Sequence, residues 1–277
     1  MRIPRIYTSE PLAVGAAIRL GAQSSRHLIS VLRLKPGAEL ILFNGTGGEY
    51  RSQLLEHDEQ PLVTTGKVSR FSQSKAKSSK PEKSAAICVN EFIDVNRESP
   101  LFIELGIGIS RGERMDWVIQ KSTELGVQKI TPLFTERTEV KLKGERQQKK
   151  CVHWRQVAIS ACEQSGRTRL PEIVEPIALA DWVPTLSPRF VLDPCASMGL
   201  QNYKNESLSD GSAAIDRPTQ VALLVGPEGG LSEAEVLHSI NVGFIGISLG
   251  QRILRTETAP LVAITQCQTL WGDLSVC

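Results

Sequence analysis

The fold class is decided by two segments near the end of the chain, Leu224-Val225-Gly226-Pro227-Glu228-Gly229-Gly230 and Leu249-Gly250-Gln251-Arg252-Ile253-Leu254-Arg255-Thr256-Glu257-Thr258-Ala259. Each follows an apolar run and precedes a stretch with helical periodicity. The glycines permit backbone geometry, or a close approach, that a Cβ would block. A strand that turns into a helix is the place where an open α/β sheet presents main-chain N–H groups to a ligand. The pair therefore predicts an α/β domain with a ligand site at the ends of two strands.

Both segments are followed by signals for the start of a helix. Ser232 and Glu235 have the spacing of a capping box, in which each side chain accepts from the main-chain N–H of the other residue. Pro260 stands where a first-turn proline is tolerated, and Gly272 closes the apolar run behind it as a C-cap. The sequence predicts helices that begin near Ser232 and after Thr258.

Apolar runs alternate with helical stretches through the rest of the chain, which predicts a parallel sheet with crossovers. The predicted strands are Phe102 to Ile109, Gln128 to Phe134, Arg189 to Leu192, Val221 to Val225 and Phe244 to Leu249. Helices are predicted from about Glu113 to Leu125 and from about Glu145 to Gln164. The stretch from Cys195 to Arg217 has little periodicity, and we expect a connection without regular structure there.

The first part of the chain consists of short segments separated by turns. Strands are predicted at Ala38 to Phe43 and at Glu49 to Leu55, joined by a glycine-rich connection, and they favour a small β-barrel. A short helix is also predicted before them, with Ser24 or Ser25 as its cap. Its inward-facing residues are predicted to be Leu28, Val31 and Leu32.

Charge is distributed unevenly along the chain. Residues 1–83 hold thirteen Lys and Arg against seven Asp and Glu, which leaves 19 against 23 for the other residues. This balance is compatible with a nucleic-acid arm attached to a catalytic body, and a merely solvated basic face is the alternative. The Lys- and Ser-rich stretch from Ser72 to Ser84 indicates a mobile insertion, either an extra RNA contact or a loop without a role.

The six cysteines form neither a Cys-x-x-Cys pair nor a cluster with His at metal spacing, so no zinc site or disulfide framework is predicted. The opening from Met1 to Arg5 lacks the apolar core of a signal peptide. No apolar run approaches the roughly 18 residues that a membrane-spanning helix needs. We therefore expect a soluble, cytoplasmic protein that binds no metal.

The two segments, in this order at the chain end, resemble the RsmE family of 16S rRNA (uracil(1498)-N(3))-methyltransferases, which are members of the SPOUT class of knotted methyltransferases. The resemblance extends to Arg111–Trp117, Lys121–Val127 and Glu163–Arg167, and the opening Arg5-Ile6-Tyr7 is similar to the family's usual start. It implies an α/β fold, a SPOUT-type knotted parallel sheet flanked by helices and preceded by a small PUA-like β-barrel domain that touches RNA. The implied domains are residues 1–84, with the insertion at 72–84 and a last strand reaching to about 96, and residues 97–277.

The resemblance implies S-adenosylmethionine (SAM) as the methyl donor, held between the two segments. Glycines would let main-chain groups contact the adenine edge, and leucine and isoleucine side chains would form apolar walls. The implied cofactor-binding residues are Leu224, Gly226, Pro227, Glu228, Gly229, Gly230, Leu249, Gly250, Ile253, Leu254 and Thr256. Phosphate binding is a competing interpretation, disfavoured because the Lys-[Ser/Thr] ending of a P-loop is absent and Glu228 would repel phosphate. A third interpretation is that both segments are tight turns that bind no ligand.

Methylation of uracil at N(3) requires a weakly acidic imide to lose its proton, and the resulting charge must be stabilised by a cation or by hydrogen-bond donors. We expect Arg252 or Arg255 to stabilise the uracil anion and Glu257 to orient the arginine, with a structural Arg–Glu pair as the alternative. The predicted RNA contacts are Arg2, Arg5, Arg26, Arg33, Arg114, Lys121 and Arg167.

The implied partners are 16S rRNA or the small ribosomal subunit and a second copy of the chain. The helix after Thr258 is the expected dimer interface, with Trp271 as an anchor. The target uridine must be unpaired or flipped, because a paired N(3) is already hydrogen-bonded. Two other functions remain open: a SPOUT methyltransferase of another RNA or atom, and a non-catalytic RNA-binding factor in ribosome assembly.

Overall fold

The structure, a computed structural model, describes residues 3–58, 84–209 and 218–274. It divides into two compact units, Met1–Arg97 and Glu98–Cys277. None of the helices within the described ranges is long and apolar enough to cross a membrane. The insertion predicted at 72–84 lies outside these ranges except for its last residue.

The N-terminal unit contains a five-stranded, mostly antiparallel sheet. Its elements are β1 (Arg5–Tyr7), β2 (Ala17–Arg19), α1 (Ala22–Arg26), a π-helical turn (His27–Val31), β3 (Glu39–Phe43), β4 (Glu49–Asp58) and β5 (Ser84–Ile93). The strand order is β1-β3-β4-β5-β2. β1 pairs with β3 in parallel, and the other neighbours pair antiparallel. Apolar side chains from the strands pack around Leu20 and Leu28 and give this unit its own core.

The short helix of this unit differs from its prediction. α1 begins before both serines proposed as its cap, and Ser25 is buried, with its hydroxyl donating to the main-chain oxygen of Leu20 at 2.9 Å. Leu28 is fully buried as predicted. Val31 and Leu32 are 65% and 39% exposed, because the π-helical turn that follows α1 changes the residue spacing on which the prediction relied.

Arg5 forms an ion pair inside the N-terminal unit. Its guanidinium forms an ion pair with Glu49 and lies 5.1 Å from the centre of the Phe43 ring, with 9% of the side chain exposed. Arg97 adds a second ion pair to the same carboxylate at 3.0 Å. Burial raises the pKa of the Glu49 carboxyl, but hydrogen bonds from Arg97 and Arg5 outweigh burial and bring the pKa below its usual value. The predicted RNA contact at Arg5 is wrong, because the buried charge already has a protein partner.

The C-terminal unit is a parallel sheet flanked by helices. Its elements are β6 (Phe102–Gly108), α2 (Glu113–Glu124), β7 (Lys129–Phe134), α3 (Glu145–Ser165), β8 (Glu172–Ile173), β9 (Ile177–Ala178), a 3-10 turn (Leu179–Asp181), β10 (Arg189–Leu192), α4 (Leu200–Ser209), β11 (Gln220–Val225), α5 (Glu233–Asn241), β12 (Ile245–Ile247) and α6 (Ala259–Leu270). The order is β12-β10-β11-β6-β7-β8, and β9 also pairs with β7. All these pairs are parallel. The predicted alternation of strands and helices is confirmed.

The stretch predicted to lack regular structure contains the helix α4. Its first residue, Leu200, is 2% exposed, and Tyr203 packs its ring against Phe190 and Trp271 at 5.0 and 6.3 Å between ring centres. The sequence of α4 has only three large apolar residues, Leu200, Tyr203 and Leu208, among polar ones, and the partners of Tyr203 lie far away in the chain. Residues 210–217 of the same stretch lie outside the described ranges.

Trp271 lies just after α6 and belongs to the core of its own unit. It is 4% exposed, and its ring stacks on Phe190 with 6.1 Å between ring centres. A side chain buried inside one copy of the chain cannot anchor contact with another. The predicted role of Trp271 as a dimer anchor is therefore wrong.

The chain reverses direction across the sheet after its last strand. β12 lies at one edge, beyond β10, and the segment 248–258 returns past the carboxyl ends of β10 and β11. It then enters α6, which packs against α2, α4 and β11. This return path is the region in which the family resemblance implies the knot.

Arg167 is a structural residue of the C-terminal unit. It is 4% exposed, and its Nε and Nη2 atoms donate to Glu98 Oε2 at 2.9 and 2.6 Å. Its Nη1 atom donates to the main-chain oxygens of Thr123 and Val127 at 2.9 and 2.7 Å. The predicted RNA contact at Arg167 is wrong, because its guanidinium joins the end of α2 to the start of the unit and is closed off from solvent.

Arg167→Ala is expected to destabilise the C-terminal unit by about 3 to 5 kcal/mol, because it leaves the charge of Glu98 buried without its partner. Urea unfolding followed by circular dichroism measures this change. Arg169→Ala is the matched control, since Arg169 is exposed and only its main-chain N–H contacts Glu98. An Arg167→Ala protein with the unfolding midpoint of the control would contradict this role.

Candidate active site

A cavity of about 860 Å³ opens at the carboxyl ends of β10, β11 and β12. Its walls come from the loop after β11, the loop after β12, the segment after β10 and one face of α5. Open α/β sheets bind their ligands at this edge, and the volume lies in the range of about 300 to 1,000 Å³ that is typical of small-molecule sites. The two segments that decide the fold therefore meet at one cavity.

The loop after β11 requires glycine. A Cβ on Gly226 would lie 2.8 Å from the main-chain nitrogen of Leu231 and 2.9 Å from the carbonyl carbon of Gly230. Gly230 has a φ of +70°, and its N–H donates to the carbonyl oxygen of Pro227 at 2.9 Å. Side chains at 226 or 230 would open this turn, so the glycines keep main-chain groups at the cavity wall.

The start of α5 is capped by its own residues. The Ser232 hydroxyl accepts from the Glu235 N–H at 3.3 Å, and the Glu235 carboxylate accepts from the Ser232 N–H at 2.9 Å. The predicted capping box is confirmed. Because these N–H groups already have acceptors, this helix start offers little to a phosphate, which weighs against the phosphate interpretation of this cavity.

Thr256 fastens the two loops of the cavity to each other. Its hydroxyl donates to the main-chain oxygen of Gly226 at 2.8 Å, and it lies 3.5 Å from the hydroxyl of Ser110. Thr256 is 7% exposed. A single buried side chain thus holds the loops after β11 and β12 and the segment after β6 in one arrangement.

Glu228 connects the glycine loop to the start of α2. Its carboxylate accepts from the main-chain N–H of Arg111 at 2.9 Å and from Arg114 Nη1 at 3.0 Å. Partial burial raises the pKa of Glu228, but main-chain hydrogen bonds and the Arg114 side chain outweigh burial and hold the pKa below its ordinary value. Arg114 Nε also lies 3.9 Å from Glu257. The half-exposed Arg114 therefore links both cavity loops, and its predicted RNA contact stays a prediction.

The residues predicted to be catalytic lie at the cavity mouth. Arg252 and Arg255 are among its lining residues, and Arg255 is 81% exposed at the side chain. Glu257 stands 3.9 Å from Arg255 Nη1 and 3.9 Å from Arg114 Nε, so it lies between two guanidinium groups. Within the described chain, Arg252 has no ion pair. The arrangement places two exposed guanidinium groups at the edge of the cavity.

All but one of the predicted cofactor-binding residues line the cavity. The exception is Leu224, which is fully buried and packs with Leu133 and Trp182. Neighbouring residues of a strand face opposite sides of the sheet, so Val225 lines the cavity where Leu224 does not. The prediction for Leu224 is wrong for this reason.

Sequence reasoning missed the walls that come from other elements. Asp193, Pro194 and Cys195 follow β10, which lies between β11 and β12 only because of the strand order. Arg137 reaches in from the loop after β7 and donates to the Gly229 oxygen at 2.9 Å. The spacing of Leu237 and Ile240 on α5 could have predicted their place in the cavity wall, because residues three apart lie on the same face of a helix.

The other predicted RNA contacts are dispersed. Lys121 Nζ lies 2.9 Å from both carboxylate oxygens of Glu124 and 5.2 Å from the centre of the Trp117 ring. Arg26 and Arg33 are exposed on the N-terminal unit. Arg2 lies outside the described residues. Contact with RNA at these positions stays a prediction.

Metal ligands are not grouped in the part of the chain that the structure describes: it holds no cluster of three or more His, Cys, Asp or Glu side chains suited to an ion.

Comparison with known proteins decides the family. Residues 97–268 match the model of an RNA methyltransferase domain, and residues 20–63 match that of an RNA methyltransferase PUA domain. A protein of Buchnera aphidicola named ribosomal RNA small subunit methyltransferase E is 36% identical over 99% of each chain. The protein of the same name from Bacillus subtilis is 29% identical over 96% of each chain. The chain belongs to the RsmE family of RNA methyltransferases.

Two solved structures similar to this RsmE-family chain contain SAM. A protein of Legionella pneumophila, described as a methyltransferase in complex with the bound cofactor, is 36% identical with a TM-score of 0.84, covering 99% of this chain and 100% of its own. The ribosomal RNA small subunit methyltransferase E of Neisseria gonorrhoeae, bound to S-adenosyl methionine, is 34% identical with a TM-score of 0.81 and the same coverage. The predicted fold class, an α/β sheet of the SPOUT type behind a PUA-like domain, is confirmed.

Gly226→Ala is expected to destabilise the RsmE-family fold by about 1 to 3 kcal/mol, because the new methyl group meets main-chain atoms that have no room to move. Gly246→Ala, in β12, is the control, since a Cβ there would meet only the Cβ of Ala196, at an ordinary contact distance of 3.6 Å. Thermal unfolding of both variants measures the difference. Equal melting temperatures would show that the turn at Gly226 adapts.

Glu228→Gln is expected to destabilise the protein at neutral pH and to lose this effect in acid. Glu228 has a lowered pKa in the folded state, so its stabilisation is complete above the ordinary pKa of 4.5 and disappears as the pH falls through the folded-state value. Urea midpoints of variant and wild type, compared from about pH 7 to about pH 3, measure the difference. Exposed Glu175, changed to Gln, is the control, and a Glu228→Gln effect that is constant across this range would contradict the assignment.

Proposed function

We propose that this RsmE-family chain is a SAM-dependent methyltransferase that methylates N(3) of a uridine in 16S ribosomal RNA. The observation that carries the proposal is the cavity of about 860 Å³ between two loops that Thr256 ties together. Relatives that share the fold over nearly the whole chain contain SAM. Their names supply the substrate class, small-subunit ribosomal RNA.

The residues of the cavity fit this cofactor. The glycine loop 226–230 brings main-chain groups to the cavity wall, where they can hydrogen-bond an adenine edge, and Val225, Leu249 and Leu254 provide apolar surface for a nucleoside. The capping box at Ser232 and Glu235 leaves little for a phosphate at this helix start. When bound, the cofactor supplies an electrophilic methyl group. The chain holds the loops in place for it through the bond from Thr256 to Gly226.

The chain's own contribution to catalysis is electrostatic. A uracil that loses its N(3) proton carries negative charge on the flanking oxygens, which a positioned cation stabilises more strongly than the neutral base. Arg252 and Arg255 stand at the cavity mouth and supply such cations. Glu257 lies 3.9 Å from Arg255 Nη1 and 3.9 Å from Arg114 Nε, within reach to orient the Arg255 side chain. We assign the stabilising contact to Arg252 or Arg255 and the orienting role to Glu257.

Arg252→Ala and Arg255→Ala are expected to separate binding from chemistry. Loss of the guanidinium that stabilises the uracil anion should lower kcat by about 100- to 1,000-fold, by analogy with the loss of an oxyanion donor. Transfer of labelled methyl groups to 16S rRNA measures kcat, and calorimetry with SAM should show affinity close to wild type. Gln251→Ala, in the same exposed loop, is the control. Near-normal transfer by both arginine variants would remove the assignment.

Two experiments decide between this function and its alternatives. Mass mapping of ribosomal RNA from cells that lack the protein should reveal one uridine of 16S rRNA without its methyl group. A methyl group missing from another base or another RNA would contradict the N(3) assignment but leave a methyltransferase. Calorimetry that detects no binding of SAM to the pure protein would favour the non-catalytic RNA-binding factor.

We also propose a homodimer and a cytoplasmic location, the compartment in which bacterial ribosomal RNA is modified. The family resemblance suggests the dimer, with the helix after Thr258, α6, as its interface. Sedimentation that detects only single chains would exclude the dimer.

A further inference from the structure

Two helices of the C-terminal unit begin with nearly the same four residues. Arg111-Gly112-Glu113-Arg114 opens α2, and Lys143-Gly144-Glu145-Arg146 opens α3. The two glycines occupy the N-cap position in the same unusual conformation, with φ and ψ of 57° and −131° at Gly112 and of 52° and −132° at Gly144. Neither helix start has a hydrogen bond from a capping side chain.

Both helix starts therefore keep hydrogen-bond donors available. The first N–H groups of an α-helix have no acceptor within the helix, and they carry partial positive charge. A Cβ added to Gly112 or Gly144 would meet nothing within 4 Å, so the space in front of each start is open. α5 is the contrasting case in this chain, because Ser232 and Glu235 satisfy its first turn.

A second cavity, of about 580 Å³, lies beside these helix starts and carries excess positive charge. Its charged lining residues are Arg111, Glu139, Lys141, Arg146 and Lys150. Glu139 forms an ion pair with Arg111 at 2.5 Å. Within the described residues, Lys141, Arg146 and Lys150 have no acidic partner. Cations on a surface are usually just solvated, but here three of them converge on one concave site.

A buried tryptophan adjoins the same cavity. Trp154 is one of its lining residues and is 1% exposed. Its indole Nε1 atom is closed off from solvent and has no hydrogen-bond partner in the described structure. An indole nitrogen only donates, and a buried donor without an acceptor is both rare and costly. Because this nitrogen is closed to solvent, it does not contact the open part of the cavity. The helix N–H groups and the three cations are the groups that favour a ligand rich in acceptor oxygens.

We propose that the second cavity binds phosphate groups of the substrate RNA, an inference that rests on the proposed function. Phosphodiester oxygens accept hydrogen bonds and carry negative charge, which matches the helix N–H groups and the three unpartnered cations. The two cavities are neighbours: Ser110 lines the second, Thr256 lines the first, and their hydroxyl oxygens are 3.5 Å apart. A strand anchored here would present a nearby unpaired base to the mouth of the cofactor cavity.

The double variant Arg146→Ala/Lys150→Ala tests the site in the full-length protein. Its affinity for 16S rRNA should fall about tenfold or more. The slope of log affinity against log salt should become shallower by about 1 to 2, because a protein that makes fewer phosphate contacts releases fewer counterions when it binds. Its affinity for SAM, measured by calorimetry, should equal that of wild type. The matched control is Lys143→Ala/Lys149→Ala, which removes the same charge from the same helix start at residues that do not line the cavity. A cavity variant that binds RNA with the affinity and salt slope of this control would overturn the proposal.

A second measurement separates this site from the proposed function. Inorganic tripolyphosphate is titrated into the wild-type protein and its tryptophan fluorescence is followed, with Trp154→Phe identifying the contribution of Trp154. The expected change is saturable in wild type and lost in Arg146→Ala/Lys150→Ala. If this holds but the wild type neither binds nor methylates 16S rRNA, the anion site stands and the proposed function fails. If the wild type methylates RNA while the cavity variant behaves like the control in both measurements, the function stands and the site fails.

Discussion

The hydrogen bond from the Thr256 hydroxyl to the Gly226 carbonyl oxygen is the contact on which the active-site architecture depends. It joins two loops that leave the sheet at different strands, β11 and β12, with β10 between those strands. The bond forms only if Gly226 turns tightly enough, and a Cβ there would meet main-chain atoms at 2.8 and 2.9 Å. It also requires the chain after β12 to return across the sheet before α6 begins. The hydrogen bond thus requires both a residue without a side chain at position 226 and a last segment that returns across the sheet.

The starts of three helices, α2, α3 and α5, lie near this contact and differ in how they are capped. α5 is closed by its capping box, so its first N–H groups are not available to the cavity beside it, and the cations that line this cavity, Arg137, Arg252 and Arg255, come from loops. α2 and α3 begin at glycines and stay open, and the cations beside them face the second cavity. Glu228 joins the two regions by accepting from Arg111 and Arg114. The same physical feature, unsatisfied N–H groups at a helix start, is thereby suppressed at one cavity and retained at the other.

Burial separated arginines that look equivalent in the sequence. Arg5 and Arg167 stand in segments that resemble family motifs, yet each is nearly buried and neutralised by a carboxylate, Glu49 or Glu98. Arg252 and Arg255, in the loop after β12, remain at the cavity mouth. A motif shows that an arginine is required at a position, but it does not reveal whether the requirement is structural or functional. The partner carboxylate decides this, and it lies 44 residues away for Arg5 and 69 for Arg167.

The sequence by itself determined the features that depend on neighbouring residues in the chain. These are the alternation of strands and helices, the capping box at Ser232 and the glycine turn after β11. Hydrophobic periodicity, capping and turn geometry are local properties, so a short stretch of sequence is enough to predict them. It also identified most of the residues that line the cavity at the ends of β11 and β12, since the loops that form its walls follow the strand ends directly. It missed α4, the burial of Trp271 and the walls from Asp193 and Arg137. Only the tertiary structure decided these, because strand order and side-chain burial are set by contacts between residues far apart in the chain, whose energies no local pattern contains.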